Sequence, residues 1–135
     1  MPETYDLRSI FGDPIHIYTR AQALRDGALH DAGELATEAG FKYPVALTAA
    51  AWADTVAWDY DDASQDETGR LWDVLYMGAN AIRRAVARGA NSGPLAYTLL
   101  RVTAPGQQPT LTSLVITLGP GDDSEPVFTL DSPEQ

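Results

Sequence analysis

Cysteine is absent from the chain, and with it go disulfides, zinc–thiolate sites, iron–sulfur clusters and thiol nucleophiles. Lysine occurs once, at Lys42, against eight arginines, and only two histidines are present, His16 and His30. No apolar run approaches the roughly 20 residues of a membrane-spanning helix. The opening residues, Met1 to Asp6, lack the basic and apolar regions of a signal peptide. These absences fit a cytoplasmic protein with no membrane partner.

What is present is acid. The 135 residues carry 19 carboxylates against 9 basic side chains, a formal net charge of −10. The charge is unevenly placed. Asp26 to Gly69 holds ten carboxylates against Lys42 alone, Arg70 to Arg101 holds five arginines against Asp73, and five carboxylates follow Arg101 with no base. Such a balance disfavours direct binding of nucleic-acid phosphates and favours a basic partner, whose complementary field speeds encounter. Hydrophobic residues make up 44%, enough for a core, and the length suits one domain spanning residues 1–135.

The local signals order themselves as follows. Residues 1–14 read as an irregular lead-in, and Ile15 to Tyr18 as a short strand. Thr19 caps a helix over Arg20–Asp26, which Gly27 stops. Ala28–Asp31 reads as a second short strand and Glu34–Ala39 as a short helix ended by Gly40. Pro44 breaks the pattern by holding Tyr43 extended, and Thr48 caps a helix over Ala49–Val56. After an acidic loop, the clearest helix runs from about Thr68 or Gly69 to Arg88. Leu71, Val74, Leu75, Gly78, Ile82, Ala85 and Val86 form its apolar stripe. Asp66 and Glu67 at its start and Arg83, Arg84 and Arg88 near its end suit the helix dipole, which accounts for part of the charge asymmetry without any partner. Strands Leu95–Thr103, Leu111–Leu118 and Val127–Leu130, separated by turn residues, predict an antiparallel meander, and residues 131–135 a frayed tail. The predicted class is α+β: an antiparallel sheet of three to five strands with helices packed on one face, the N-terminal strands joining its edge.

Candidates for chemistry are few. His16 and His30 have the residue type of a general base or ligand, but no carboxylate spacing accompanies them, and packing explains both. No nucleophile elbow, phosphate loop or dinucleotide fingerprint occurs. Gly119-Pro-Gly-Asp-Asp123 has the carboxylates of a cation site and equally the composition of a hairpin turn. No catalytic residue, metal site or cofactor is therefore assigned.

The segment Trp58-Asp-Tyr-Asp-Asp-Ala-Ser-Gln-Asp-Glu67 is more informative. A charge run is ordinarily a solvated face. Its sharper reading is a docking surface that imitates the charge spacing of nucleic-acid phosphate. Asp59, Asp61, Asp62, Asp66 and Glu67 would supply charge, and Trp58 and Tyr60 contact area. Asp122, Asp123 and Glu125 would extend the surface if the last turn lies nearby. Trp52 and Trp72 are assigned to the core.

Two resemblances add context. His16-Ile-Tyr-Thr19, followed by Leu24, Gly27 and Leu29, resembles a segment of ADP-ribosyltransferases, with Ala28 in place of that family's second glycine. It implies a nicotinamide-holding role for Tyr18 and Thr19, while a strand, cap, helix and turn explain the same residues. More of the chain, Ile15 to about Leu130, resembles an uncharacterised bacterial family found on plasmids, phages and other mobile elements. The phrases are Ile17-Tyr-Thr-Arg-Ala-Gln-Ala-Leu-Arg-Asp-Gly27, Glu38-Ala-Gly-Phe-Lys-Tyr-Pro-Val45, Gly69-Arg-Leu-Trp-Asp-Val-Leu75 and Gly119-Pro-Gly-Asp-Asp123. That resemblance implies a setting in which small acidic proteins inhibit host defence, including CRISPR effector complexes. The expected function is thus a non-enzymatic DNA-mimicking inhibitor of a host nucleic-acid-binding machine. A nucleotide- or NAD-using enzyme and a scaffold domain of the mobile element are the alternatives.

Overall fold

Sequence punctuation sets the helices in the computed structural model, which describes residues 18–90 and 92–133. Thr19 caps α1 (Arg20–Asp26): its hydroxyl accepts from the Gln22 N–H, and the Gln22 side chain accepts from the Thr19 N–H, a reciprocal capping box. Gly27 closes α1 in the left-handed region, at φ 80°. Strand β1 (Leu29–Asp31) and α2 (Glu34–Ala39) follow. Thr48 both ends β2 (Val45–Thr48) and caps α3 (Ala49–Thr55), its hydroxyl accepting from the Ala51 N–H. Asp66 caps the long α4 (Glu67–Ala87), accepting from the Gly69 N–H at 2.7 Å. The chain then runs through β3 (Leu95–Arg101), β4 (Thr110–Pro120) and β5 (Pro126–Asp131).

The five strands form one open sheet in the order β1-β2-β5-β4-β3. All neighbours are antiparallel except β2 and β5, which run parallel with Val45 opposite Phe128. The meander and the α+β class stand. β2 is a strand that the sequence does not signal: it seats β1 at the edge and links it to the meander. The expected strand at Ile15–Tyr18 lies outside the described residues except for Tyr18, which is in no strand. The tail starts later than expected. Asp131 closes β5 opposite Val115 and accepts from the Thr48 hydroxyl at 2.7 Å, while the Ser132 hydroxyl donates to Asp54.

The main core lies between one sheet face and α2, α3 and α4. Val45, Leu47, Leu99, Leu114 and Leu130 meet Ala36, Ala51, Val74 and Leu75, each nearly or wholly inaccessible to solvent. Val56 seals the α3 end. Tryptophans 52 and 72, expected in the core, are half-buried and pack against it. Gly78 lets α4 approach β3, since a Cβ there would sit 3.1 Å from the Tyr97 hydroxyl and 3.3 Å from the Phe41 ring. That hydroxyl donates to the Val74 carbonyl, and burial holds it well above the usual phenol range. On the reverse side, Ala23 of α1, Ala46 and Val127 are buried outside this cluster. Arg20 fastens α1 there through Thr129 Oγ1 and the Phe128 carbonyl. No helix among the described residues is long and apolar enough to cross a membrane.

Candidate functional site

The acidic loop joins α3 to α4, and two buried arginines hold it. Arg70 and Arg101 are 3% and 6% exposed. A buried cation is costly unless its hydrogen bonds are met, and here backbone carbonyls meet them. Arg70 Nε donates to the Val56 carbonyl at 2.9 Å, and its Nη1 to the Val102 carbonyl at 2.9 Å and to Gln65 Oε1 at 3.2 Å. Arg101 donates from Nη1 to the carbonyls of Thr55 (2.9 Å) and Arg70 (3.4 Å), and from Nε to that of Leu100 (2.7 Å). Its Nη2 reaches Asp73 Oδ2 at 3.1 Å. The Thr55 and Val56 carbonyls close α3, where a helix leaves acceptors unmet and its dipole is negative. Burial and the neighbouring Arg101 both lower the Arg70 pKa.

The loop folds onto this anchor. The Trp58 N–H donates to Glu67 Oε2 at 2.9 Å, and its indole Nε1 to the Asp62 carbonyl at 3.0 Å. The Arg70 guanidinium stands 5.1 Å from the Trp58 ring centroid, and Tyr60 meets that ring edge-on at 4.9 Å. Asp62 Oδ1 accepts from the Ser64 N–H at 2.7 Å, and bonds from Ser64 hold its carboxyl below the usual range.

These contacts sort the residues singled out by sequence. The sequence suggests Trp58 for partner contact, but it is only 8% exposed, because the cation beside it and its indole bond draw it inward. Asp62, Asp66 and Glu67 spend their carboxylates on the loop and on the start of α4. Tyr60 is 48% exposed. Asp59 and Asp61 are exposed, with no partner for either carboxylate among the described residues. The loop thus presents Asp59, Tyr60 and Asp61 outward from a fixed base.

The second acidic stretch lies elsewhere. The turn 121–125 follows Pro120, whereas the acidic loop is fastened at the Arg101 end, where Arg101 pairs with Thr110. Thr110 to Pro120 spans the length of β4, roughly 33 Å at the usual rise per residue. Asp122 and Asp123 therefore do not extend the loop's surface. Asp122 instead accepts from the Arg20 and Ala21 N–H groups, at 2.8 and 2.9 Å, and those bonds lower its pKa. Glu125 folds back onto the Asp123 N–H.

The segment resembling ADP-ribosyltransferases also has local duties. Thr19 is committed to its capping box, and the Tyr18 hydroxyl donates to Asp26, which raises the tyrosine's pKa. His30 stacks on Trp52 with centroids 4.5 Å apart. His16 lies outside the described residues.

Sequence reasoning passed over Arg70 and Arg101 as members of a charge block. The available signal was an arginine one turn into the helix that follows the acidic loop and another at the end of the next strand.

Residues 10–135 match the model of a family described as a family of unknown function, DUF6573. The chain belongs to that family. The distinctive phrases of the sequence pointed to an uncharacterised family, and this assignment agrees with them. No curated protein and no solved structure matches the chain.

Proposed function

We propose that this DUF6573 member is a non-enzymatic binding protein that docks its acidic loop on the basic surface of a nucleic-acid-binding protein. The observation that carries the reading is the clamp. Arg70, Arg101 and Trp58 fix the loop from behind, leaving Asp59, Tyr60 and Asp61 outward. A preorganised loop loses little conformational entropy on binding, and its charge complements a phosphate-binding groove. Asp62 and Asp66 add negative charge from the same loop, while Asp122 and Asp123 play no part in it. In the mobile-element setting that the sequence phrases imply, the partner is a host defence machine such as a CRISPR effector, inhibited by occupation of its nucleic-acid surface.

The test is competition. The chain, immobilised in host lysate, is expected to capture a basic nucleic-acid-binding protein that added duplex DNA displaces. Asp59→Lys with Asp61→Lys should abolish capture, and raised salt should weaken it in the original chain. Equal capture by the reversed chain rejects the loop as the contact.

A further inference from the structure

An exposed sheet edge lies beside the loop, along strand β3. β3 is an edge of the sheet, and among the described residues no strand pairs with its outer side. Natural edges are protected by short length, lysine, proline or a bulge. β3 is seven residues long and has neither lysine nor proline, and the one charge it bears, on Arg101, is turned inward and buried.

The direction of its free backbone groups follows from the arginine bonds. The Leu100 carbonyl accepts from Arg101 Nε and the Val102 carbonyl from Arg70 Nη1. Both therefore face away from β4. Backbone groups alternate sides along an antiparallel strand, so Ala96 and Thr98 turn their N–H and C=O outward as well. The arginines occupy the carbonyls at one end of the edge and leave the middle open.

A groove of about 380 Å³ follows this edge, between Tyr76 and Met77 of α4 and Thr98, Leu100 and Leu111 of the sheet. Tyr76, Leu100 and Leu111 are 46%, 58% and 72% exposed, and Leu100 and Leu111 are cross-strand partners. The charge the groove offers to solvent is the Asp73 carboxylate, whose side chain is 57% exposed, since the side chain of its partner Arg101 is buried.

We infer that the groove receives an extended segment of a partner protein, which adds as a sixth strand beside β3. Its backbone pairs with Ala96 and Thr98, side chains on one face of the added strand cover Tyr76, those on the other face cover Leu100 and Leu111, and a lysine or arginine meets Asp73. Strand addition takes affinity from main-chain bonds and specificity from alternate side chains. Charge complementarity sets the sign of the segment's end residue, at Asp73 locally and across a chain of net charge −10. The inference shares with the proposed function only the expectation of a basic partner, and it invokes different residues.

Random dodecapeptides displayed on phage are selected against the full chain, and an enriched peptide is then titrated by fluorescence anisotropy. Enriched sequences should carry apolar residues at successive positions, one set for each face, and lysine or arginine at one end. Thr98→Pro should weaken the peptide at least about tenfold, by removing an outward N–H. Proline is tolerated where an edge N–H faces solvent, and circular dichroism checks that the fold is kept. If that variant fails to fold, Leu111→Glu, at an exposed position, should weaken binding comparably, and Asp73→Asn should remove the preference for a basic end. Enrichment of acidic peptides or of peptides without an apolar run, or affinity unchanged in these variants, overturns the inference. So does a dimer that Thr98→Pro dissociates, since the occupant is then a second copy. The Asp59→Lys, Asp61→Lys chain separates the two readings: if it loses the lysate partner but keeps the peptide, both stand. If the original chain binds the peptide and reversal leaves lysate capture intact, the loop reading fails alone.

Discussion

The two ends of the sheet solve the same problem with opposite charges. At one end, guanidinium groups of Arg70 and Arg101 satisfy the carbonyls that close α3 and lie around the end of β3. At the other, the Asp122 carboxylate satisfies the amides that open α1. The first pair is buried and the second group is exposed. Burial decides how much each matters, because an unmet polar group costs most where water cannot replace its partner.

The largest effect is expected from Arg101→Met. It leaves the Thr55 and Arg70 carbonyls buried without this donor, and the cost should be about 3 kcal/mol or more. Arg20→Met at the opposite end gives up two part-buried bonds and should cost about 1 kcal/mol. Urea unfolding of both variants measures the contrast. Equal losses would mean that burial does not distinguish the two ends.

Next comes the indole that packs under the loop. Trp58→Ala removes a buried ring that contacts Arg70 and Tyr60 and a bond to the Asp62 carbonyl, and should cost about 3 kcal/mol. Tyr60→Ala, at a half-exposed position, should cost less than about 1 kcal/mol while weakening partner capture. If Tyr60 proves the more destabilising, the loop's base and its contact face have been assigned the wrong way round.

How much of this was legible follows the range of the interaction. The caps at Thr19, Thr48 and Asp66 and the stops at Gly27 and Gly40 are local, and sequence placed them within a residue or two. The meander was legible because turns separate its strands. β2 was not, because Val45–Thr48 runs into α3 without a break and Thr48 serves both. Trp58 was misjudged for a related reason. Its acidic neighbours in sequence suggested solvent, whereas its neighbours in space are Arg70, twelve positions on, and through Arg70 the end of β3. The separation of the two acidic stretches likewise depends on strand register, which charge counting along the chain does not contain.

The smallest effect, and the one that most sharpens the comparison, is expected from acid. Bonds from Arg20 and Ala21 hold the Asp122 carboxyl below its ordinary value of 3.8. A carboxylate with a depressed native pKa contributes stability that is fully present above the unfolded value and is lost as pH falls through the native one. Protonation should therefore loosen the start of α1 below about pH 3.8. Asp62 titrates in the same direction in the acidic loop, where Ser64 lowers its pKa. That loop, however, is also held by guanidinium–carbonyl bonds, and neither partner of those bonds titrates in acid. Amide exchange followed down the acid range should show Arg20 and Ala21 losing protection while Val56 and Ala57, the amides that close α3 on the Trp52 carbonyl, keep theirs. Asp122→Asn should abolish the pH dependence at α1 and leave α3 unchanged. Simultaneous loss at both ends would show that the loop depends on its carboxylates as much as α1 does, and that the arginines fasten it less firmly than their burial implies.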